Sequence, residues 1–121
     1  MYPPIFAVCS IVAAVQTQLG TTPCRLYPFG EAPQNVAKPY AVWQTIGGAP
    51  ENFIDKAPDI DAMALQVDIY ASTAASARAA AIALRDAIEP VAHVTRWGGE
   101  SRETDTNLYR LSFDVDWWIH R

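Results

Sequence analysis

The sequence predicts an α+β domain: an antiparallel, or mixed, sheet of four to five strands with two α-helices packed on one face. Three observations lead to this. Residues 40–46, 62–72 and 108–121 alternate with period two, as strands do. Residues 5–19 and 72–89 carry helical spacing and helix-end signals. The order of helix, strands, helix and hairpin lacks a repeated β-α-β rhythm, so the strands are expected to run antiparallel.

Near the amino end, Pro3 and Pro4 suit a first helical turn. Ile5, Val8, Ile11 or Val12, Val15 and Leu19 recur at helical spacing up to Gly20, a natural residue just past a helix end. One helix over 5–19 is expected. The segment "CRLYPF" that follows is short, β-prone and closed by Pro28, which predicts a brief edge strand. From Tyr40 to Ile46, Tyr40, Val42, Gln44 and Ile46 share one face, and Ala41, Trp43 and Thr45 share the other. This is a strand with apolar groups on both sides, and the first set is taken as its core side. After Gly47-Gly48 the chain runs to Asp61 through a segment too long and too acidic for a hairpin. It is expected to be an arm-like loop.

In "AMALQVDIYAS", Leu65, Val67 and Ile69 lie on one face and Gln66, Asp68 and Tyr70 on the other. The next stretch opens with the capping residues Ser72 and Thr73, is rich in alanine and is stopped by Pro90, which predicts a second helix. Its Ala74, Ala77, Ala81, Leu84 and Ile88 form one stripe, small enough for close packing on a sheet. The last third reads as a hairpin: "VAHVTRW", the polar loop "GGESRETDTN", and a long closing strand. In that strand Tyr109, Leu111, Phe113, Val115, Trp117 and Ile119 face one way. Leu65, Val67, Ile69, Leu111, Phe113 and Val115 are therefore expected beneath the helices.

The chain has 121 residues, enough for one core and too few for two, so 1–121 is expected to be a single domain. Asp and Glu outnumber Lys and Arg by 13 to 9, which argues against a nucleic-acid clamp. Cys9 and Cys24 have no Cys-x-x-Cys spacing and no clustered histidine near them, and they read as buried free thiols of a protein made in a reducing cytoplasm. The apolar amino end lacks the basic region of a signal peptide, and no stretch reaches the roughly 18 to 20 apolar residues of a membrane span. No membrane partner is expected.

Catalytic patterns are missing. There is no Gly-x-Ser-x-Gly elbow, phosphate loop, dinucleotide fingerprint or His/Glu pair at helical spacing. His93 and His120 sit in strand-like surroundings without a neighbouring nucleophile. Gly47-Gly48 and Gly98-Gly99 precede no helix and read as turn residues. Glu51, Asp55, Asp59 and Asp61 do not fit a calcium-loop spacing, which Pro58 interrupts. No catalytic residue, cofactor or metal is expected. Trp43, Tyr70 and Trp118, by contrast, are read on the outward sheet face, where large aromatics commonly anchor protein interfaces.

Taken in order, "PYAVWQTIGGAP", "ALQVDIYASTAASARAAAIALRDAI" and "YRLSFDVDWW" resemble the tail-completion, or tail-terminator, proteins of long-tailed bacteriophages. With the amino-terminal helix the resemblance spans nearly the whole chain. It implies a non-enzymatic virion subunit, assembled in the host cytoplasm and forming a ring, typically hexameric, that caps the finished tail tube. Its partners would be further copies of itself, the tail tube protein and the neck or head-completion protein, with genomic DNA passing through without specific binding. Trp43, Tyr70 and Trp118 would then serve subunit or partner contacts. Glu51, Asp55, Asp59, Asp61, Glu100, Glu103 and Asp105 would line the channel or the docking surface. A small cytoplasmic ligand-binding or enzyme domain is the alternative, and would need a pocket with converging polar groups.

Overall fold

The computed structural model describes the backbone of residues 3–53 and 56–120, and of these the side chains apart from residues 48–53, 56–61 and 120. The elements are α1 (Ile5–Cys9), α2 (Ala13–Leu19), β1 (Leu26–Pro28), β2 (Tyr40–Phe53), β3 (Lys56–Ala71), α3 (Ala74–Ile88), β4 (His93–Arg102) and β5 (Tyr109–His120). The five strands form one mixed sheet in the order β1-β2-β3-β5-β4. Every neighbouring pair is antiparallel except β1 and β2, which run parallel.

The amino-terminal helix is broken, where one helix was expected. Val12 is extended, with φ −85° and ψ 127°, and it separates a five-residue helix from a seven-residue one. Two consecutive β-branched residues, Ile11 and Val12, hold a helix weakly. The Gln16 side chain donates to the Ser10 carbonyl at 3.0 Å, taking up one acceptor that the break exposes. The break also resets the helical phase, so Ile5, Cys9, Val15 and Leu19 are all buried while Ile11 points to solvent. Gly20 ends α2 at φ +85°, a conformation a side chain would strain.

Helix α3 matches its sequence signals. Thr73 Oγ1 accepts from the Ser76 N–H at 3.1 Å, closing the first turn. The helix ends at Ile88, before Pro90. Its Ala77, Ala80, Ala81, Leu84 and Ile88 are buried, and it packs on β3, β5 and β4, with α1 and α2 lying against it. Beneath the helices Leu65, Val67, Ile69, Phe113 and Val115 are fully buried and Leu111 almost so, as the strand alternation predicts. Burying each such side chain is worth about 1.5–3 kcal/mol.

The largest departure lies in residues 47–61. Of these, residues 47–53 continue β2 and residues 56–61 belong to β3, so they extend the sheet rather than leaving it as a loop. Register shifts between Thr45 and Gly47 and between Glu51 and Phe53 absorb the glycine pair and the non-ideal segment that follows. Proline is tolerated there because β1 covers β2 only at Ala41, Val42 and Trp43, which leaves the rest of that edge open among the described residues. The last hairpin differs in the same sense: Gly98 to Arg102 belong to β4, not to a loop. A Cβ on Gly98 would lie 2.6 Å from the Ser112 carbonyl oxygen, so only glycine allows this approach.

Candidate assembly surface

One face of the sheet carries the helices, and among the described residues no helix covers the other, the open face. On the open face the register aligns side chains in rows across β2, β3, β5 and β4: Tyr40, Tyr70, Arg110 and Ser101, then Gln44, Gln66, Asp114 and Arg96. Between these rows lie Val42, Asp68 and Ser112. The strands put them there because each is one residue out of phase with the core-facing set.

Asp68 is the centre of this face and is buried, at 8% exposure, although no helix covers it. Its Oδ1 accepts from Arg110 at 3.1 Å, from Gln66 Nε2 at 3.2 Å and from Ser112 Oγ. A carboxylate taken from water needs such donors. Burial works against the Arg110 charge, but Asp68, by charge and hydrogen bond, with Tyr70 and Glu103, holds its pKa above the usual arginine value. Arg110 Nε is buried with no hydrogen-bond partner among the described residues. Tyr40 and Tyr70 stack beside the network at 5.1 Å between ring centroids. Their phenols are pushed up, by burial first and then by the neighbouring carboxylates, so both stay protonated at neutral pH.

The predicted interface aromatics part company. Tyr70 lies on the open face, half-buried in the stack, and Trp118 lies there at 45% exposure, in register with Ala62. Trp43 is a correction: it is 5% exposed and belongs to the core cluster, on the helix-covered face. Alternation defined the two faces of β2, but both are apolar. Pairing of Ala41 with Ile69 and Trp43 with Val67 decides that the Trp43 set faces inward.

The acidic residues also separate. Glu51 lies in β2 and Asp59 and Asp61 in β3, so they are strand residues of the hairpin, not of a loop. Asp55 lies outside the described residues. Glu100, expected in a loop, sits in β4 and forms an ion pair with Arg78 of α3 at 2.8 Å. Glu103 follows β4, accepts from the Asn107 N–H at 2.9 Å, and adds negative charge near Tyr40, Tyr70 and Arg110. Asp105 is exposed in the β4–β5 turn. Sequence reasoning did not single out Asp68, Arg110, Ser112 and Gln66 as a unit. The available signal was a run of polar residues at every second position of two strands that pair.

Chemistry finds little else to use. The cleft of about 260 Å³ between the start of α3 and the β4–β5 pair contains Arg78 and Glu100, already paired with each other. Cys9 and Cys24 are free, buried thiols; burial first, and then Cys24, pushes Cys9 up to about 12. Among the described residues no group of three or more His, Cys, Asp or Glu could hold a metal ion, and no helix is long and apolar enough to cross a membrane.

Fold and surface together define a small α+β subunit whose sheet has one covered and one open face. Residues 3–120 match the family described as Tail completion protein gp17, and the chain belongs to that family. It is a structural protein of the virion tail. Its fold is similar to that of a chain in a solved structure titled "Virion of native gene transfer agent (GTA) particle". The TM-score is 0.62 at 16% identity, over 97% of this chain and 92% of that one. A comparison with curated proteins returned no match.

Proposed function

We propose that this chain acts as a single-domain subunit of a ring, hexameric in the first instance, at the head-proximal end of the tail tube. There it would stop tube growth and offer a docking surface to the neck. The observation that carries this reading is the outer part of the β2–β3 hairpin. Among the described residues β5 pairs with β3 as far as Ile60, and beyond it β2 and β3 pair with each other as a two-stranded ribbon. Such a ribbon is marginal alone in water and gains stability when something packs against it. A neighbouring subunit would supply that packing, so assembly and ordering of the arm would go together.

In this reading Trp118 and Tyr70 on the open face contribute subunit or partner contacts, and Trp43 acts indirectly, by supporting β2 from the core. A ring stable by itself would bury on the order of 1,200–2,000 Å² per contact. Genomic DNA would pass through the centre, where a wall rich in Lys and Arg would hold it by counterion release. The carboxylates of Glu51, Asp55, Asp59 and Asp61 on the arm, or of Glu103 and Asp105 at the β4–β5 turn, would make the channel wall net negative, or would meet a basic neck surface. Glu100, held by Arg78, is the least available of the set.

The test is mass in solution by light scattering, with and without tail tubes, together with negative-stain images. A closed ring with an open centre is the expected result. A protein that stays monomeric or dimeric even on tubes would overturn the proposal. Replacing Glu51, Asp55, Asp59 and Asp61 by Ser or Asn then separates the two roles of the arm. Lumen residues should leave neck docking intact and slow DNA delivery, whereas docking residues should abolish head joining.

A further inference from the structure

The sheet has two open edges at opposite ends, and they differ in character. On one side β4 is the terminal strand and carries His93, Arg96 and Arg102, with Glu100 as its one carboxylate, paired with Arg78 of α3. On the other, β1 covers β2 at Ala41, Val42 and Trp43, so among the described residues Gln44 to Phe53 form an open edge that leads into the acidic arm. Arg96 is 68% exposed and forms a loose 3.7 Å pair with Asp114. The arm, residues 51–61, bears Glu51, Asp55, Asp59 and Asp61 against Lys56 alone.

Strand direction makes these edges compatible. β2, β3, β5 and β4 alternate in direction, so β4 runs antiparallel to β2 of its own copy. A second copy related by rotation about an axis along the strands presents its β2 in the same direction as the first. The alternation therefore continues from β4 of one copy into β2 of the next without a break. This contact is head-to-tail, and a head-to-tail contact closes into a ring when its rotation allows.

The register follows from what blocks the edge. β1 fills the β2 edge at Ala41, Val42 and Trp43, the level of Trp97 and Glu100 on β4. Level joining would drive β4 into the neighbour's β1, so the neighbour must be displaced to bring its arm alongside β4. Tilted closed sheets stagger by about one residue per strand, or about four over these four strands. A slide of about that size frees β4 from β1 up to its last residue, Arg102, and brings Glu51 from the level of His120 to that of Asp116, beside His93 and diagonal to Arg96, in register with Asp114.

We infer that β4 of one subunit pairs antiparallel with the Gln44–Phe53 edge of β2 in a second copy of this chain, with Arg96 meeting the acidic arm. The inference rests on the ring reading above and names the contact that makes the ring. The bulges along both strands interrupt each edge, so free copies do not pair indiscriminately. Side-chain charge and the slide select the partner.

The experiment joins engineered cysteines across the contact with a short bis-maleimide. Ile46→Cys combined with Ser101→Cys places thiols at two exposed sites that the slide brings level, and the native Cys9 and Cys24 are buried and silent. A ladder of linked species ending at the ring mass is expected, with no ladder for Ile46→Cys combined with Ala75→Cys on α3. Arg96→Glu should weaken ring association by up to about fivefold, the range of an exposed charge pair, and Glu51→Arg should restore it. Rings of the Ile46→Cys, Ser101→Cys variant that form but give no ladder, together with wild-type rings indifferent to Arg96→Glu, overturn the edge pairing and leave the ring intact. A wild-type protein that never closes overturns both.

Discussion

The two faces of this sheet are built from the same strands and obey opposite rules. Leu65, Val67 and Ile69 on β3 face the helices and are fully buried without a polar atom among them. Gln66, Asp68 and Tyr70, one residue out of phase, make an open face whose most buried member is a carboxylate. The covered face is held by area removed from water, which is indifferent to direction. The open face is held by hydrogen bonds and one ion pair, which depend on geometry. An open sheet face made of leucine would be an aggregation surface. The polar network keeps this face ordered and wettable at once, although Arg110 Nε has no hydrogen-bond partner among the described residues.

The largest effect that separates the two faces should come from Phe113→Ala. Phe113 is fully buried beneath α3 and stacks on Trp97 at 5.5 Å. The change should cost about 3–5 kcal/mol, read by urea unfolding. A loss under about 1 kcal/mol would mean that the covered face is not the main source of stability. On the open face, Asp68→Ala should cost about 1–3 kcal/mol, because Arg110, Ser112 and Gln66 lose their common acceptor but Arg110 can still turn towards water. A neutral result would show that the network is ornamental to the fold.

A pH experiment sharpens the comparison from the helix side. Cys9 holds its proton up to about 12 when folded, against 9.0 for an ordinary thiol, chiefly because it is buried. Between those values the unfolded chain binds fewer protons than the folded one, so stability falls as pH rises. The contribution is fully present below pH 9.0 and is lost towards about 12, with a slope of up to about 1.4 kcal/mol per pH unit. Subtracting the profile of Cys9→Ala from the wild type isolates it, and parallel profiles would show that the thiol is not buried as described. The smallest effect on stability belongs to Trp118→Ala. A half-exposed side chain should change the monomer by about 0.5 kcal/mol. Ring mass at low concentration should nevertheless fall. If the melting temperature drops and assembly does not change, Trp118 serves its own subunit instead.

Much of the covered face was legible because its signals are local and repeated. Period-two alternation in 62–72 and 108–121, and the capped alanine stripe of α3, each name a set most of which the structure buries, with Ala74, Tyr109 and Ile119 only half-buried. The open face was legible only as a leftover. Its polar residues could be assigned to a side of each strand, but Asp68, Arg110 and Ser112 meet across 42 and 44 residues of sequence, and no local pattern encodes that meeting. The β2–β3 hairpin failed for a related reason. Gly47-Gly48, Pro50 and Pro58 are turn signals in isolation, and bulges together with an open edge let a strand carry them.

By itself, then, the sequence determined the kind and order of the main elements, the helix-facing sides of β3 and β5, and the membership that its ordered blocks imply. The elements and their faces follow from propensity, capping and periodicity, which act over a few residues; the membership rests on resemblance alone. Only the tertiary structure decided that Trp43 faces inward, that the first helix breaks at Val12, that residues 47–53 and 56–61 extend the sheet, and that Asp68 is buried on an open face. Each of these depends on which strands become neighbours and in what register, and register is a property of pairing between distant segments. A shift of one residue in that pairing would exchange the two faces, turning Trp43 outward and Tyr40 inward.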